Sequence, residues 1–253
     1  MVTRDGCIAT VTLDRPDSRN AVDLEMWRGL AEIFTQLRAS PDLRGVILTG
    51  AGDCFSSGAD IGDFEETRAT VAQGLGYEAD VDRACDAIAG LGCPVIAVIR
   101  GYCYGGACHL AMASDFRFVD EAALFCIPAA RLSIVYSARG MARLVALVGL
   151  AEAKRIFYSA QTFGAREAVV SGFADRVEVD PLAAAMAWLR SIADLAPLSI
   201  AGAKTILNMV AMPGEPYDAA LADAVTLRAL ASADYAEGRR AFAAKRSPQF
   251  RGA

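Results

Sequence analysis

His109 is the only histidine in the chain, and it follows closely on the pair Gly105-Gly106. Two glycine-bearing segments have residue types suited to contacting a ligand through the backbone: Phe55-Ser56-Ser57-Gly58-Ala59-Asp60 and Gly101-Tyr102-Cys103-Tyr104-Gly105-Gly106. Small residues at a strand-to-helix junction let a ligand approach the main chain, and the first N–H groups of a helix have no intrahelical partner. Two such junctions from adjacent crossover units could aim two amides at one oxygen. That arrangement is an oxyanion hole, suited to a carbonyl that gains negative charge. The alternative is that these glycines only permit tight packing. An imidazole titrates near pH 6.5 and so serves as acid or base at neutral pH. His109 is expected about one turn inside the helix opened by Gly105, where the helix dipole disfavours the imidazolium and leaves a neutral base or donor. Alternatively, His109 is a core residue buried by Leu110 and Met112 and satisfied by one hydrogen bond.

Positioning such groups requires a scaffold that alternates strands and helices. Ile8–Leu13 is a short β-rich run ending at the turn signal Asp14-Arg15-Pro16. Leu24, Trp27, Leu30, Ala31, Phe34 and Leu37 recur at helical spacing behind Asp23, a candidate N-cap. Gly45–Thr49 and Val95–Ile99 are short, apolar and β-branched, as buried parallel strands are. A helix is predicted from about Gly105 to Ala113 and a strand over Phe116–Val119. This alternation implies an α/β core of crossover units. Beyond about residue 137 the pattern turns helical: Ala142–Val148, Ala151–Ser159, Ala165–Ser171, Leu182–Leu195, Leu198–Val210, Tyr217–Ala231 and Asp234–Arg246. Gly149, Gly164, Gly172, Pro197 and Pro213 punctuate these segments.

Counting excludes several chemistries. With 253 residues, 54% of them hydrophobic and a formal net charge of −5, the chain is a globular domain without a basic block for nucleic acid. Its apolar runs fall well short of the roughly 18 residues that cross a membrane. One histidine rules out multi-histidine metal sites, there is no Gly-x-Ser-x-Gly elbow, and Gly101, Gly105 and Gly106 do not form a dinucleotide fingerprint. The seven cysteines make an odd count without a Cys-x-x-Cys pair. They are expected as reduced, buried thiols of a cytoplasmic protein rather than metal ligands, Cys103 and Cys108 included.

Taken in order, Leu13–Pro16 with Arg19-Asn20-Ala21, Phe55–Ile61, Gly101–Leu110, Phe125-Cys126-Ile127-Pro128 and Ala241–Gly252 make the chain resemble the crotonase superfamily, the enoyl-CoA hydratase/isomerase family. The resemblance covers nearly the whole length. It implies a spiral of ββα units carrying the acyl-CoA site (residues 1–195) and a C-terminal helical oligomerisation region (196–253), assembled as a homotrimer or a hexamer of two trimers. It also implies an acyl-CoA thioester substrate, with coenzyme A entering as part of that substrate and no permanently bound cofactor or metal. Carried over by position, the N–H groups of Ala59 and Gly106 would hold the thioester oxygen as an enolate. Ala21, Ser57, Asp60 and Ile61 would line the path of adenine and pantetheine. Phe242 and Lys245 would touch the coenzyme of a neighbouring subunit.

Two departures bear on the reaction. Hydratases of this family carry a glutamate where this chain has His109, and a second where it has Ala129. Hydration uses both carboxylates to split water across the double bond, and alanine transfers no proton. His109 would then be the proton-handling group, with Tyr136 orienting or donating. The segment Arg131–Gly140 also resembles that of methylmalonyl-CoA decarboxylases, which place a tyrosine at the Tyr136 position but a histidine at that of Ala59. Tyr136 could equally be a packed aromatic. Arg131, Arg139 and Arg143 are expected on a solvated helix face or a subunit contact, and Glu65 and Glu66 as surface charges unless one replaces a missing carboxylate. The expected function is an acyl-CoA enzyme working through a thioester enolate, by hydration, isomerisation or decarboxylation. A non-catalytic acyl-CoA binder is the rival reading, and thioester hydrolysis ranks last.

Overall fold

The computed structural model describes residues 1–212 and 218–253; the expected turn at Pro213 and the start of a helix at Tyr217 lie outside them. In chain order the elements are β1 (Val2–Asp5), β2 (Ile8–Leu13), α1 (Leu24–Arg38), β3 (Gly45–Gly50), α2 (Phe64–Thr67), α3 (Val71–Ala89), β4 (Val95–Ile99), β5 (Tyr102–Tyr104), α4 (Gly106–Ala113), β6 (Phe116–Val119) and β7 (Leu124–Cys126). The C-terminal half adds α5 (Ala138–Ser159), β8 (Phe163–Gly164), α6 (Ala165–Ser171), β9 (Arg176–Val177), α7 (Pro181–Ile192), α8 (Pro197–Ala211), α9 (Ala219–Leu230) and α10 (Ala233–Ala243). Among the described residues no helix is long and apolar enough to cross a membrane.

The larger sheet runs β1-β2-β3-β4-β6-β9, parallel except for the β1–β2 hairpin. A smaller one runs β5-β7-β8. The chain repeatedly lays a strand in the large sheet, a short strand in the small one, and then a helix: β4-β5-α4 is one such unit and β6-β7-α5 another. Strands β3 and β4 are buried at every position because helices cover both faces of the sheet. On one face α1 buries Trp27, Leu30, Phe34 and Leu37, each apolar side chain contributing roughly 1.5–3 kcal/mol. On the other, α7 brings Ala185 and Leu189 onto Ile8, Ile47, Ile96 and Phe118. The contact is so close that a Cβ on Gly45 would meet Leu189 Cδ2 at 2.6 Å.

Asp23 caps α1 as expected, accepting from the Met26 N–H at 2.8 Å. The expected break at Gly149 is present inside α5 as a residue with φ 75°. Two expectations need correction. Residues 71–89, where no helix was foreseen, form the 19-residue α3. Arg143 is also not on a solvated face: it is buried and its Nη2 donates to Asp86 Oδ1 at 2.6 Å. Lys204 ties α8 to the core by donating to Cys93 O at 3.0 Å and Asp115 Oδ2 at 2.7 Å.

One buried polar side chain sets the loop that carries the first candidate amide. Asn20 is fully buried, with φ 54°. Its Nδ2 donates to Ala51 O (2.9 Å) and Cys54 O (2.7 Å), and its Oδ1 accepts from the Arg15 N–H (3.0 Å). Asn20→Ala strands these buried backbone groups and should lower stability by roughly 2–3 kcal/mol, as read by urea denaturation. A loss under about 0.5 kcal/mol would show that the clamp carries little.

Candidate active site

The loop after β3 is pinned from both sides. Phe55 N–H donates to Arg100 O at 2.7 Å and Ser56 N–H to Tyr102 O at 2.9 Å, which sets the loop beside β5. Farther on, Val22 N–H donates to Gly58 O (2.8 Å) and Asp60 N–H to Val22 O (2.9 Å). In this parallel bridge the residues flanking Ala59 make the hydrogen bonds, so the Ala59 N–H faces away from Val22. Gly58 has φ 97°, and a Cβ there would lie 2.3 Å from Tyr104 O and 3.1 Å from Gly106 N. Only glycine fits this crossing.

Gly105, with φ 52°, caps α4 and bonds its own N–H to Cys126 O at 2.8 Å. Gly106 is therefore the first helical residue, and its N–H lies at the positive end of α4. A Cβ on Gly106 would lie 3.1 Å from Ala59 N, so the two amide nitrogens are close neighbours. Among the described residues neither has a hydrogen-bond acceptor.

These amides open onto a cavity of about 80 Å³ walled by Trp27, Ile61, Phe64, Val81, Ala129 and Ile134, with His109 and Tyr136 set among them. His109 is buried, and neither ring nitrogen has a partner among the described residues. Its ring sits 4.0 Å, edge-on, from that of Tyr136, and Gly140 at the start of α5 packs directly on it, where a Cβ would approach Cε1 to 2.7 Å. Burial, reinforced by the positive charges of Arg143 and Arg68, pushes the imidazole down to about 3. The ring is neutral at pH 7, as expected, with burial rather than the helix dipole as the main cause. The Tyr136 phenol is raised by burial and by the nearby Cys108, Cys126 and Cys103 thiols, so it keeps its proton. Ala129 sits in the cavity wall within the short 3-10 turn Pro128–Arg131 and carries no proton-transfer group.

The residues expected along the coenzyme path divide. Ser57 and Ile61 line the cavity. Ala21 and Asp60 are instead joined by Arg15, whose Nη1 donates to Ala21 O at 2.9 Å and to Asp60 Oδ2 at 2.8 Å, while Asp60 Oδ1 accepts from the Gly62 N–H at 3.1 Å. Phe242 and Lys245, both exposed, lie at the far C-terminal end and are not part of this cavity within one chain. Phe242 instead borders a separate groove of about 540 Å³ with Leu198, Ile206, Val225 and Tyr235. Glu65 and Glu66 are exposed on α2, away from the cavity wall.

Sequence reading missed Arg68, Tyr77 and Glu78, which all line the cavity. The Arg68 guanidinium lies over the rings of Phe64 (4.8 Å) and Tyr77 (4.2 Å) and pairs with Glu78. Tyr77 accepts the Trp27 indole N–H at 2.8 Å. A signal for α3 was present: Thr70 and Gln73 form a capping box, with Gln73 N–H to Thr70 Oγ1 at 3.2 Å and Thr70 N–H to Gln73 Oε1 at 2.9 Å.

Residues 3–253 match the family model described as enoyl-CoA hydratase/isomerase. The chain belongs to that family. The carnitinyl-CoA dehydratase of Escherichia coli K12 is 35% identical over 259 aligned positions, covering 99% of this chain and 97% of the relative. The solved enoyl-CoA hydratase/carnithine racemase of Magnetospirillum magneticum superimposes with a TM-score of 0.91 at 37% identity, over 100% of this chain and 95% of that one. The enoyl-CoA hydratase of Bacillus anthracis gives 0.88 at 28% identity, covering 100% and 99%. The expected crotonase fold is therefore present, and the family acts on acyl-CoA thioesters.

Burial of His109 makes stability depend on pH. Between the ordinary imidazole value near 6.5 and the folded value of about 3, the unfolded chain binds a proton that the folded chain does not. This contribution is complete above pH 6.5 and is lost as pH falls, at about 1.4 kcal/mol per unit. Urea denaturation at pH 7 and pH 5 should show wild type losing about 2 kcal/mol more than His109→Leu. Equal losses would place a charged or solvated imidazole in the folded state.

Proposed function

We propose that the chain acts on an acyl-CoA thioester by holding its carbonyl oxygen, as an enolate, between the N–H groups of Ala59 and Gly106. The observation that carries this reading is the adjacency of two main-chain amides without protein acceptors at the mouth of a largely apolar cavity. In such surroundings a hydrogen bond to developing negative charge is stronger than in water, and each donor is typically worth about 100- to 1,000-fold in rate. The thioester is the substrate and coenzyme A its carrier, with Ser57 and Ile61 at the cavity edge. On this reading the protein is a homotrimer or a pair of trimers, in which Phe242 and Lys245 serve the coenzyme of a neighbouring subunit.

With His109 and Ala129 where hydratases of this family have glutamates, two-carboxylate hydration is not the reaction. His109, neutral and without a partner among the described residues, would meet the acyl group from the cavity wall beside Tyr136, whose hydroxyl stays protonated. Enolate chemistry that moves one proton fits a site with two such neutral hydrogen-bonding groups beside the oxygen. Loss of carbon dioxide from a malonyl-type thioester is the second reading, favoured by the protonated Tyr136 beside His109 and opposed by the Glu78 carboxylate on the same wall. Assays against enoyl-, malonyl- and methylmalonyl-CoA, with His109→Ala alongside, separate these from a binder that forms a tight complex but no product.

Gly106→Ala tests the oxygen site directly. The added methyl would meet Trp27 Cζ2 at 3.0 Å and Ala59 N at 3.1 Å, occupying the space an oxygen needs. Steady-state kinetics should show kcat/KM reduced at least 100-fold, with the folded state retained by circular dichroism. Unchanged kcat/KM would remove the two amides from the mechanism.

A further inference from the structure

Resting on the enolate reading, we propose that Glu78 is the proton-transfer group of this site, a carboxylate supplied from α3 and held by Arg68. Proton movement at the carbon next to a thioester needs a base that reaches the cavity. Five titratable side chains line the cavity: Arg68, Tyr77, Glu78, His109 and Tyr136. Arg68 is a cation and accepts nothing. Tyr77 and Tyr136 are both pushed above the ordinary phenol value, chiefly by burial, so neither is a base at neutral pH. His109 is packed under Gly140 and edge-on to the Tyr136 ring at 4.0 Å, and burial lowers its basicity as well. Glu78 alone presents a carboxylate.

Its surroundings hold it in place. The Glu78 carboxylate pairs with Arg68, and both side chains are mostly buried. The guanidinium is itself fixed against the rings of Phe64 and Tyr77, a setting in which cation–π attraction adds about 1 kcal/mol or more. A carboxylate accepts through two oxygens with several lone pairs, and one Arg68 contact leaves the second oxygen available to a substrate. The small cavity places any acyl group there within a few ångströms of its wall. Because Glu78 already neutralises Arg68, the pair disfavours a second carboxylate on the substrate and favours an uncharged acyl chain.

The step is a shift of one proton within a β,γ-unsaturated thioester. Glu78 takes a proton from the α-carbon: the C–H bond breaks, an O–H bond forms, and the electron pair spreads over a dienolate whose oxygen rests on the Ala59 and Gly106 amides. The new carboxylic acid then returns a proton to the γ-carbon, giving the α,β-unsaturated isomer and regenerating the carboxylate. Atoms and charge balance with no co-reactant. One carboxylate suffices, whereas hydration must also activate water.

The experiment uses but-3-enoyl-CoA in deuterium oxide, following conversion to but-2-enoyl-CoA by ultraviolet absorbance and deuterium uptake by mass spectrometry. Wild type should isomerise the thioester, and E78Q should do so about 100- to 10,000-fold more slowly while binding butyryl-CoA within threefold of wild type by calorimetry. Wild-type turnover that survives in folded E78Q overturns the assignment of Glu78 and leaves the enolate reading standing. Neither isomerisation nor exchange in wild type overturns that reading and the assignment with it. Should E78Q fail to fold, E78D carries the test: the shorter carboxylate keeps a partner for Arg68, and turnover reduced more than tenfold in the folded variant supports the assignment, whereas unchanged turnover overturns it.

Discussion

Among the described residues the amides of Ala59 and Gly106 have no acceptor, because each sits where the hydrogen-bond ladder around it has run out. At Ala59 the bridge to Val22 uses the neighbours' groups, and at Gly106 the helix has only begun. Keeping both free and adjacent requires two strands of different crossover units to end side by side. It also requires a residue without a side chain at Gly58, where any Cβ would collide with Tyr104 O. The ββα spiral supplies this arrangement, and much of the loop architecture from Asn20 to Ser57 stiffens it.

Around the amides the protein has built a largely apolar chamber. Trp27, Phe64, Val81 and Ile134 form its wall, and the polar groups within are neutral or internally paired: His109 uncharged, Tyr136 protonated, Arg68 matched by Glu78. Low polarity makes a new negative charge on oxygen the strongest electrostatic event in the space. The same burial strips His109 of its basicity and leaves a neutral hydrogen-bonding ring. Among the described residues neither His109 ring nitrogen has a partner, and a buried polar atom left unmatched is destabilising.

Elements whose apolar residues obey one clear period were legible from sequence. Strands β2, β3, β4 and β6 and helices α1, α4 and α6 fall within a residue or two of their expected limits. Helix α3 was not, although Tyr77, Val81, Ala84 and Ile88 keep a helical repeat. Exposed Val71 and Leu75 and the glycines at 74 and 76 blur it. The three-residue strands β5 and β7 are defined by their pairing with each other and leave almost no local trace. Missing α3 meant missing Glu78 and Tyr77. The two glycine-bearing segments, by contrast, stood out because close backbone approach needs small residues at fixed places, and the structure brings Gly58 and Gly106 together. Arg143 shows the opposite limit: a charged residue buried against Asp86 looks like any surface arginine until its partner is known.

The most direct test of the account is a crystal structure of the protein with a non-reactive acyl-CoA thioester analogue. The account predicts the thioester oxygen about 2.7–3.1 Å from both the Ala59 and the Gly106 nitrogens, with the acyl chain in the cavity walled by Trp27 and Phe64. An oxygen bound to solvent or to a single side chain, with either amide left unengaged, would contradict it.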